Sequence, residues 1–166
     1  MFGLEDIRKE YQRLDQLCGI DTSAISLAVS TRALKRRGAC ISKRGKPVKI
    51  AISDFVFEEP AKSFFDTIRH EYAHALVHIR SGKSHKHDRM WKKACVEVGC
   101  KADRFSAASE AQTEKIQKHA KYTIACQGCG NEFQRMKKTK LISLLEAGQK
   151  HPYHCARCNS KDFKLK

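Results

Sequence analysis

From Phe64 to Ile79 the residues Phe64, Ile68, Tyr72, Leu76 and Ile79 recur at helical spacing, and inside the same stretch stand His70, Glu71 and His74 in the order His-Glu-x-x-His. Successive residues on a helix turn by about 100°, so His70 and His74 lie about 200° round from Ile68 and Tyr72, on a different face. One face is committed to a core and the other is left for chemistry. The helix is expected to begin after Glu58-Glu59-Pro60, where acidic residues suit an N-terminus and proline is tolerated in the first turn, and to end near Ser81 ahead of Gly82. The rest of the chain must therefore cover the first face and complete the second.

Residues four apart on a helix project side by side, so imidazoles at 70 and 74 can reach one Zn²⁺ at about 2.0–2.1 Å. Glu71, displaced by about 100° from His70, can take a proton from the water such a metal activates and pass it to a leaving amine. That is hydrolytic chemistry, most often of peptide bonds; the plain alternative is a helix with two histidines on a wet face. A catalytic zinc needs a third protein ligand. The extended pattern with a downstream glycine and third histidine is excluded, because Val77 and Arg80 occupy those positions. His78 lies about 12 Å of rise beyond His70, too far to share the ion, and is expected at the surface or in support of the ligands. Glu97 can serve as a ligand, but its neighbours Cys95, Val96 and Val98 make a helix-packing position an equal reading. His85 and His87 sit in a loop entering a further helix, about Arg89 to Val98, and that loop can fold back over the first helix.

Upstream, Leu4, Ile7, Tyr11, Leu14 and Leu17 predict an amphipathic helix over residues 3–18 with Gly19 as its stop. Alternation at Ile25, Leu27 and Val29, at Ala39 to Ser42, and at Val48, Ile50 and Ile52 predicts a three-stranded sheet with one hairpin across Lys43-Arg44-Gly45-Lys46. Residues 105–120 read as a polar connecting helix. Length permits this arrangement, with one domain of ordinary size over residues 1–115 and a small module over 116–166.

The small module has its own signal. Cys126-Gln127-Gly128-Cys129 and Cys155-Ala156-Arg157-Cys158 are two Cys-x-x-Cys pairs separated by 25 residues, with Leu141, Leu144 and Leu145 supplying an inserted helix. Four thiolates at about 2.3 Å close a tetrahedral site, so a zinc there is structural and replaces the core such a module lacks. A redox pair, or substitution of one thiolate by His151 or His154, is the alternative. Cys18, Cys40, Cys95 and Cys100 are scattered among apolar neighbours and read as small core residues, as expected in a reducing compartment.

Lysine and arginine number 33 against 18 acidic residues, a formal charge of +15. From Lys118 to Lys166 eleven basic residues face three acidic ones, a net of +8. Such an excess suits polyanions, nucleic acid before membrane, and Arg135, Lys137, Lys138, Lys140 and Arg157 are the candidate phosphate contacts. Tyr122, Phe133, Tyr153 and Phe163 either offer rings to unstacked bases or fill the small core. Lys35-Arg36-Arg37 and Lys43 to Lys46 read equally as a DNA-facing edge or as solvated turns. No apolar run approaches the roughly 20 residues of a membrane span. The first residues mix charges and resemble no secretory signal, so the chain is expected in the cytoplasm, at the nucleoid or other DNA, or in the nucleus if eukaryotic. No oligomeric state follows from the sequence.

Taken together, His70-Glu71-Tyr72-Ala73-His74, a short loop, His87 placed four residues before Trp91, the strand at Val48 to Ser53, the first helix and the late cysteine module resemble the SprT-like (Spartan-type) zinc metallopeptidases. The resemblance implies an α+β zincin-like domain of minimal gluzincin type followed by a zinc ribbon. It implies one catalytic zinc on His70, His74 and His87, with Glu71 as general base, and protein substrates on or crosslinked to DNA. Asp88 departs from the pattern, since the family usually has glycine directly after its third histidine, and this bears on the choice between His87 and His85. Two other readings compete: a non-enzymatic, DNA-binding or regulatory zinc-ribbon protein whose first metal site is residual or structural, and a metal-dependent hydrolase acting on something other than protein.

Overall fold

A computed structural model describes residues 2–103 and 107–166. The chain forms two compact units, Met1–Thr113 and Glu114–Lys166. Among the described residues no helix is long and apolar enough to cross a membrane.

In the first unit, helix α1 (Leu4–Cys18) buries Ile7, Tyr11, Leu14 and Cys18 and ends at Gly19, as its period dictates. Strands β1 (Ser26–Ser30), β2 (Gly38–Lys43) and β3 (Lys46–Ser53) follow. The sheet order is β1-β3-β2. β2 and β3 form an antiparallel hairpin through a two-residue turn at Arg44 and Gly45, both at positive φ (51° and 76°), the conformation that matches the twist of paired strands. β1 runs parallel to β3, with Leu27 opposite Ile50. The long loop between β1 and β2 carries the chain back across the sheet, which local alternation does not reveal. β2 is left at one edge.

A 3-10 turn at Asp54–Glu58 buries Phe55, Val56 and Phe57 and leads to α2 (Ala61–Ser81), with Pro60 as its N-cap. Phe64, Ile68, Tyr72 and Leu76 are fully buried, but Ile79 is 39% exposed, contrary to the stripe read from sequence. The helix outruns the core there, for residues 79–84 are all exposed. Tyr11 donates to the Ile68 carbonyl at 2.9 Å, and Tyr72 donates to Asp15 at 2.8 Å, pinning α1 to α2. α3 (Arg89–Val98) buries Trp91, Ala94, Cys95 and Val98 against the same core. The helix expected over 105–120 is shorter: α4 spans Glu110–His119, residues 107–109 are not helical, and 105 and 106 lie outside the described residues.

In the second unit, β4 (Tyr122–Cys126) is the central strand, paired antiparallel with β5 (Glu132–Arg135) and β6 (Phe163–Leu165). α5 (Lys140–Glu146) is inserted between β5 and β6, with Thr139 as its N-cap. Its buried residue is Ile142, while Leu141, Leu144 and Leu145 are half-buried. Phe133 and Phe163 meet edge to face at 6.3 Å, and the His151 ring lies 5.6 Å from Phe163. Phe133 and Phe163 thus pack half-buried on one another, whereas Tyr153 is 39% exposed.

Candidate metal centres

α2 presents His70 and His74 one turn apart, and the loop before α3 folds back to bring His87 beside them. One nitrogen from each of the three rings lies within 4.8 Å of the others, a group able to hold a metal ion. His70 Nε2 and His87 Nε2 are 3.3 Å apart. Two nitrogens held about 2.05 Å from one ion at the tetrahedral angle stand roughly 3.3 Å apart, so this spacing fits zinc. Trp91, one turn into α3, is fully buried and packs its ring against all three imidazoles, at 4.7 Å from His70, 5.2 Å from His74 and 4.5 Å from His87.

Burial, with the charges of His87 and Arg37 added, pushes His70 down to about 4. Burial with His70 and His87 does the same to His74. Both rings are neutral near pH 7, the form in which imidazole ligates a metal. The other nitrogen of His74 is turned to the loop, with Nδ1 3.3 Å from the His85 carbonyl oxygen, which orients the ring and leaves Nε2 for the site.

His85 stays outside the group. Its Nδ1 lies 2.6 Å from Asp88, and the same carboxylate accepts from the backbone N–H of Met90 and Trp91 as the N-cap of α3. Asp88 thus starts the helix that carries Trp91 and holds the His85 segment against His74. An Asp placed before an apolar helical period was the sequence signal for such a cap. His78 is buried rather than at the surface, 4% exposed with Nε2 3.2 Å from Ser42 Oγ, because β2 lies over that turn of α2. Glu97 is occupied by Arg80 through two bonds of 2.7 Å.

Glu71 is only 6% exposed, although it neighbours His70. Burial raises its carboxyl to about 7, opposed by the Cys40 backbone N–H and the charge of Arg36. His70, Glu71 and His74 line one cleft together with Arg36, His87 and Lys92. Arg37, read above as DNA-facing or solvated, is instead half-buried. It donates to Thr67 at 3.0 Å and Ser63 at 2.8 Å and pairs with the buried Glu59, tying the start of β2 to α2.

In the second unit the thiols of Cys126, Cys129, Cys155 and Cys158 converge, all four sulfurs within 4.8 Å of one another. Two of the separations are 3.5 Å (Cys126–Cys158) and 3.8 Å (Cys129–Cys155). Sulfurs about 2.3 Å from one tetrahedral ion are roughly 3.8 Å apart, so this group also fits zinc. The Arg157 N–H points at Cys155 Sγ at 3.4 Å, and with the Cys158 N–H it draws that thiol down to about 7, favouring thiolate. His151 packs on rings, outside the sulfur group. Of the candidate phosphate contacts, Lys137 and Lys140 are exposed. Lys138 pairs with Glu146, Arg157 reaches Asn131 at 3.5 Å, and Arg135 lies over the Phe133 ring at 6.0 Å.

A mixed α+β unit with three converging imidazoles in a cleft also lined by a buried glutamate, and a second unit with four converging thiols, define a protein with two candidate metal sites. The sequence model of the SprT-like family matches residues 4–114, and the chain belongs to that family. It is 35% identical over 100 residues to a protein named Protein SprT-like from Staphylococcus carnosus (strain TM300), covering 60% of this chain and 56% of that protein. A protein of the same name from Staphylococcus epidermidis (strain ATCC 12228 / FDA PCI 1200) is 32% identical over 98 residues, covering 58% of this chain and 54% of its own. The match therefore spans about half the length of these relatives.

Proposed function

We propose that the chain is a zinc-dependent metallopeptidase, with His70, His74 and His87 as the ligands of a catalytic zinc and Glu71 as the general base. The observation that carries this reading is the convergence of three imidazoles, His70 and His74 held neutral and His70 and His87 spaced to suit one tetrahedral ion, in the cleft that is also lined by a carboxyl raised to about 7. A zinc held there supplies Lewis acidity toward a substrate carbonyl. Glu71, whose affinity for protons lies near neutral pH, takes a proton from the attacking water on a carboxyl oxygen and delivers it to the leaving amine. Trp91 closes one side of the three imidazoles and keeps water from their inner faces. Cys126, Cys129, Cys155 and Cys158 hold a structural zinc, and residues 1–115 and 116–166 act as catalytic domain and ribbon.

The basic ribbon supports a further step: its net of +8 from Lys118 onward brings the protease to DNA, with exposed Lys137 and Lys140 as the readiest contacts and Arg135, Lys138 and Arg157 as the remaining ones. The substrates are then proteins bound or crosslinked to DNA. Metal analysis combined with cleavage of a DNA-bound protein, with and without DNA, tests the scheme in wild type, Glu71→Gln and His70→Ala. Two zincs per chain and DNA-stimulated cleavage abolished by Glu71→Gln are expected. A single zinc retained by His70→Ala, with no cleavage by wild type, overturns the catalytic reading and leaves a ribbon protein without peptidase activity, whereas full cleavage by Glu71→Gln overturns Glu71 as the general base.

A further inference from the structure

Glu71 stands on α2, but its side chain crosses to the sheet and lies over Gly38, the first residue of edge strand β2. A Cβ placed on Gly38 would meet Glu71 Cγ at 2.6 Å, Oε1 at 2.7 Å and Cδ at 2.9 Å. Gly38 is not among the glycines at positive φ, so its backbone conformation does not call for glycine. The space does. Glycine inside a strand is otherwise a weak choice, and it commonly marks close approach of another group.

We infer that Gly38 is a positioning residue for Glu71: its missing side chain makes the slot in which the carboxyl lies, in the cleft that the three imidazoles also line. The inference rests on the reading of Glu71 as general base. Two features of β2 make the slot rigid on its own side. Arg37, immediately before Gly38, is anchored to α2 through Thr67, Ser63 and Glu59, so the strand cannot draw back from the helix. The Arg37 carbonyl also accepts from Ser53 N at 2.8 Å, joining the strand to β3. Strand pairing alternates, so the residues that pair inward leave Gly38 and Cys40 on the outward set, where the Cys40 N–H faces the Glu71 carboxyl.

All three atoms that an added Cβ would meet belong to one flexible side chain. Alanine at position 38 is therefore accommodated by moving Glu71, by about 1 Å to restore ordinary contact near 3.5 Å. Displacements of that size at a reacting group cost about 100-fold in rate.

The test compares wild type, Gly38→Ala, Glu71→Gln and the double variant by zinc content, thermal melting, kcat and KM on a peptide substrate, and the amide resonance of Cys40. Expected for Gly38→Ala are retention of both zincs, a melting temperature within a few degrees, a shifted Cys40 amide, and a roughly 100-fold fall in kcat with KM little changed. The double variant should be no slower than Glu71→Gln alone. Wild-type kcat in Gly38→Ala, or the same fold-loss in both backgrounds, overturns the inference. If Gly38→Ala unfolds, it is combined with Glu71→Ala, which removes Cγ, Cδ and Oε1. Recovery of folding in that pair upholds the contact, and continued unfolding shows that the fold alone requires Gly38. Wild-type turnover in Glu71→Gln would instead defeat the general-base reading, while the Cys40 amide would still report whether Gly38 sets the carboxyl.

Discussion

Lowering the pH from 7 to 5 should weaken zinc binding at the His70–His74–His87 site far less than it would at a site of ordinary histidines. A metal displaces the protons of its ligands, so each imidazole with the usual value near 6.5 costs about 25-fold in apparent affinity over that range, and two cost about 600-fold. His70 and His74 are each held down to about 4 by burial and by neighbouring positive groups. At pH 5 each is then only about one-tenth protonated, and together they cost about 1.2-fold. The experiment uses Glu71→Gln, because the wild-type carboxyl, raised to about 7, gains its proton in the same window and would weaken the metal for a separate reason. Trp91 is the sole tryptophan and packs on all three rings, so its fluorescence reports this site against a competing chelator. The same depressed values mean that the metal-free unit loses stability as the pH falls from 6.5 through 4, since the unfolded chain binds protons that the folded one refuses. Circular dichroism at each pH therefore accompanies the titration. A fall of 600-fold or more between pH 7 and 5, with the fold intact, would refute the claim that burial keeps these rings neutral.

Two further outcomes are expected. Tyr72→Phe removes the 2.8 Å bond to Asp15 from a fully buried ring and should cost about 1–3 kcal/mol in chemical denaturation, with both zincs retained because the hydroxyl points away from the imidazoles. Removing zinc with a strong chelator should raise hydrogen exchange throughout residues 122–165 to nearly unprotected rates, since a structural zinc site commonly supplies about 10 kcal/mol or more to a small module, while α1 and the sheet of residues 26–53 stay protected by their own core. Protection of the second unit that survives metal loss would show that its rings and Ile142 suffice.

Much of this architecture was legible in local pattern. The period of α1, the alternation in β1 to β3, the turn at Arg44-Gly45 and the fourfold spacing along α2 depend only on neighbours in sequence, because side-chain direction within a helix or strand is set by its own geometry. The two Cys-x-x-Cys pairs and the His70–His74 pair are legible for the same reason. Each places its ligand atoms together before any long-range contact forms.

Other features required the chain to close on itself. That β1 runs parallel to β3, that the last turn of α2 exposes Ile79 while burying His78, and that Trp91 sits among three imidazoles follow from which elements meet. The sequence by itself determined that this chain carries a helix with two histidines one turn apart, the first followed directly by a glutamate, and a module with four cysteines in two close pairs. Tertiary structure decided which loop histidine joins them, that Asp88 both caps α3 and holds the His85 segment, and that Glu71 is buried against Gly38. The physical reason is range. Spacing within one element fixes a direction, whereas burial, desolvation and the gap into which a carboxyl fits are set by residues more than 30 positions apart in sequence, such as Gly38 and Glu71.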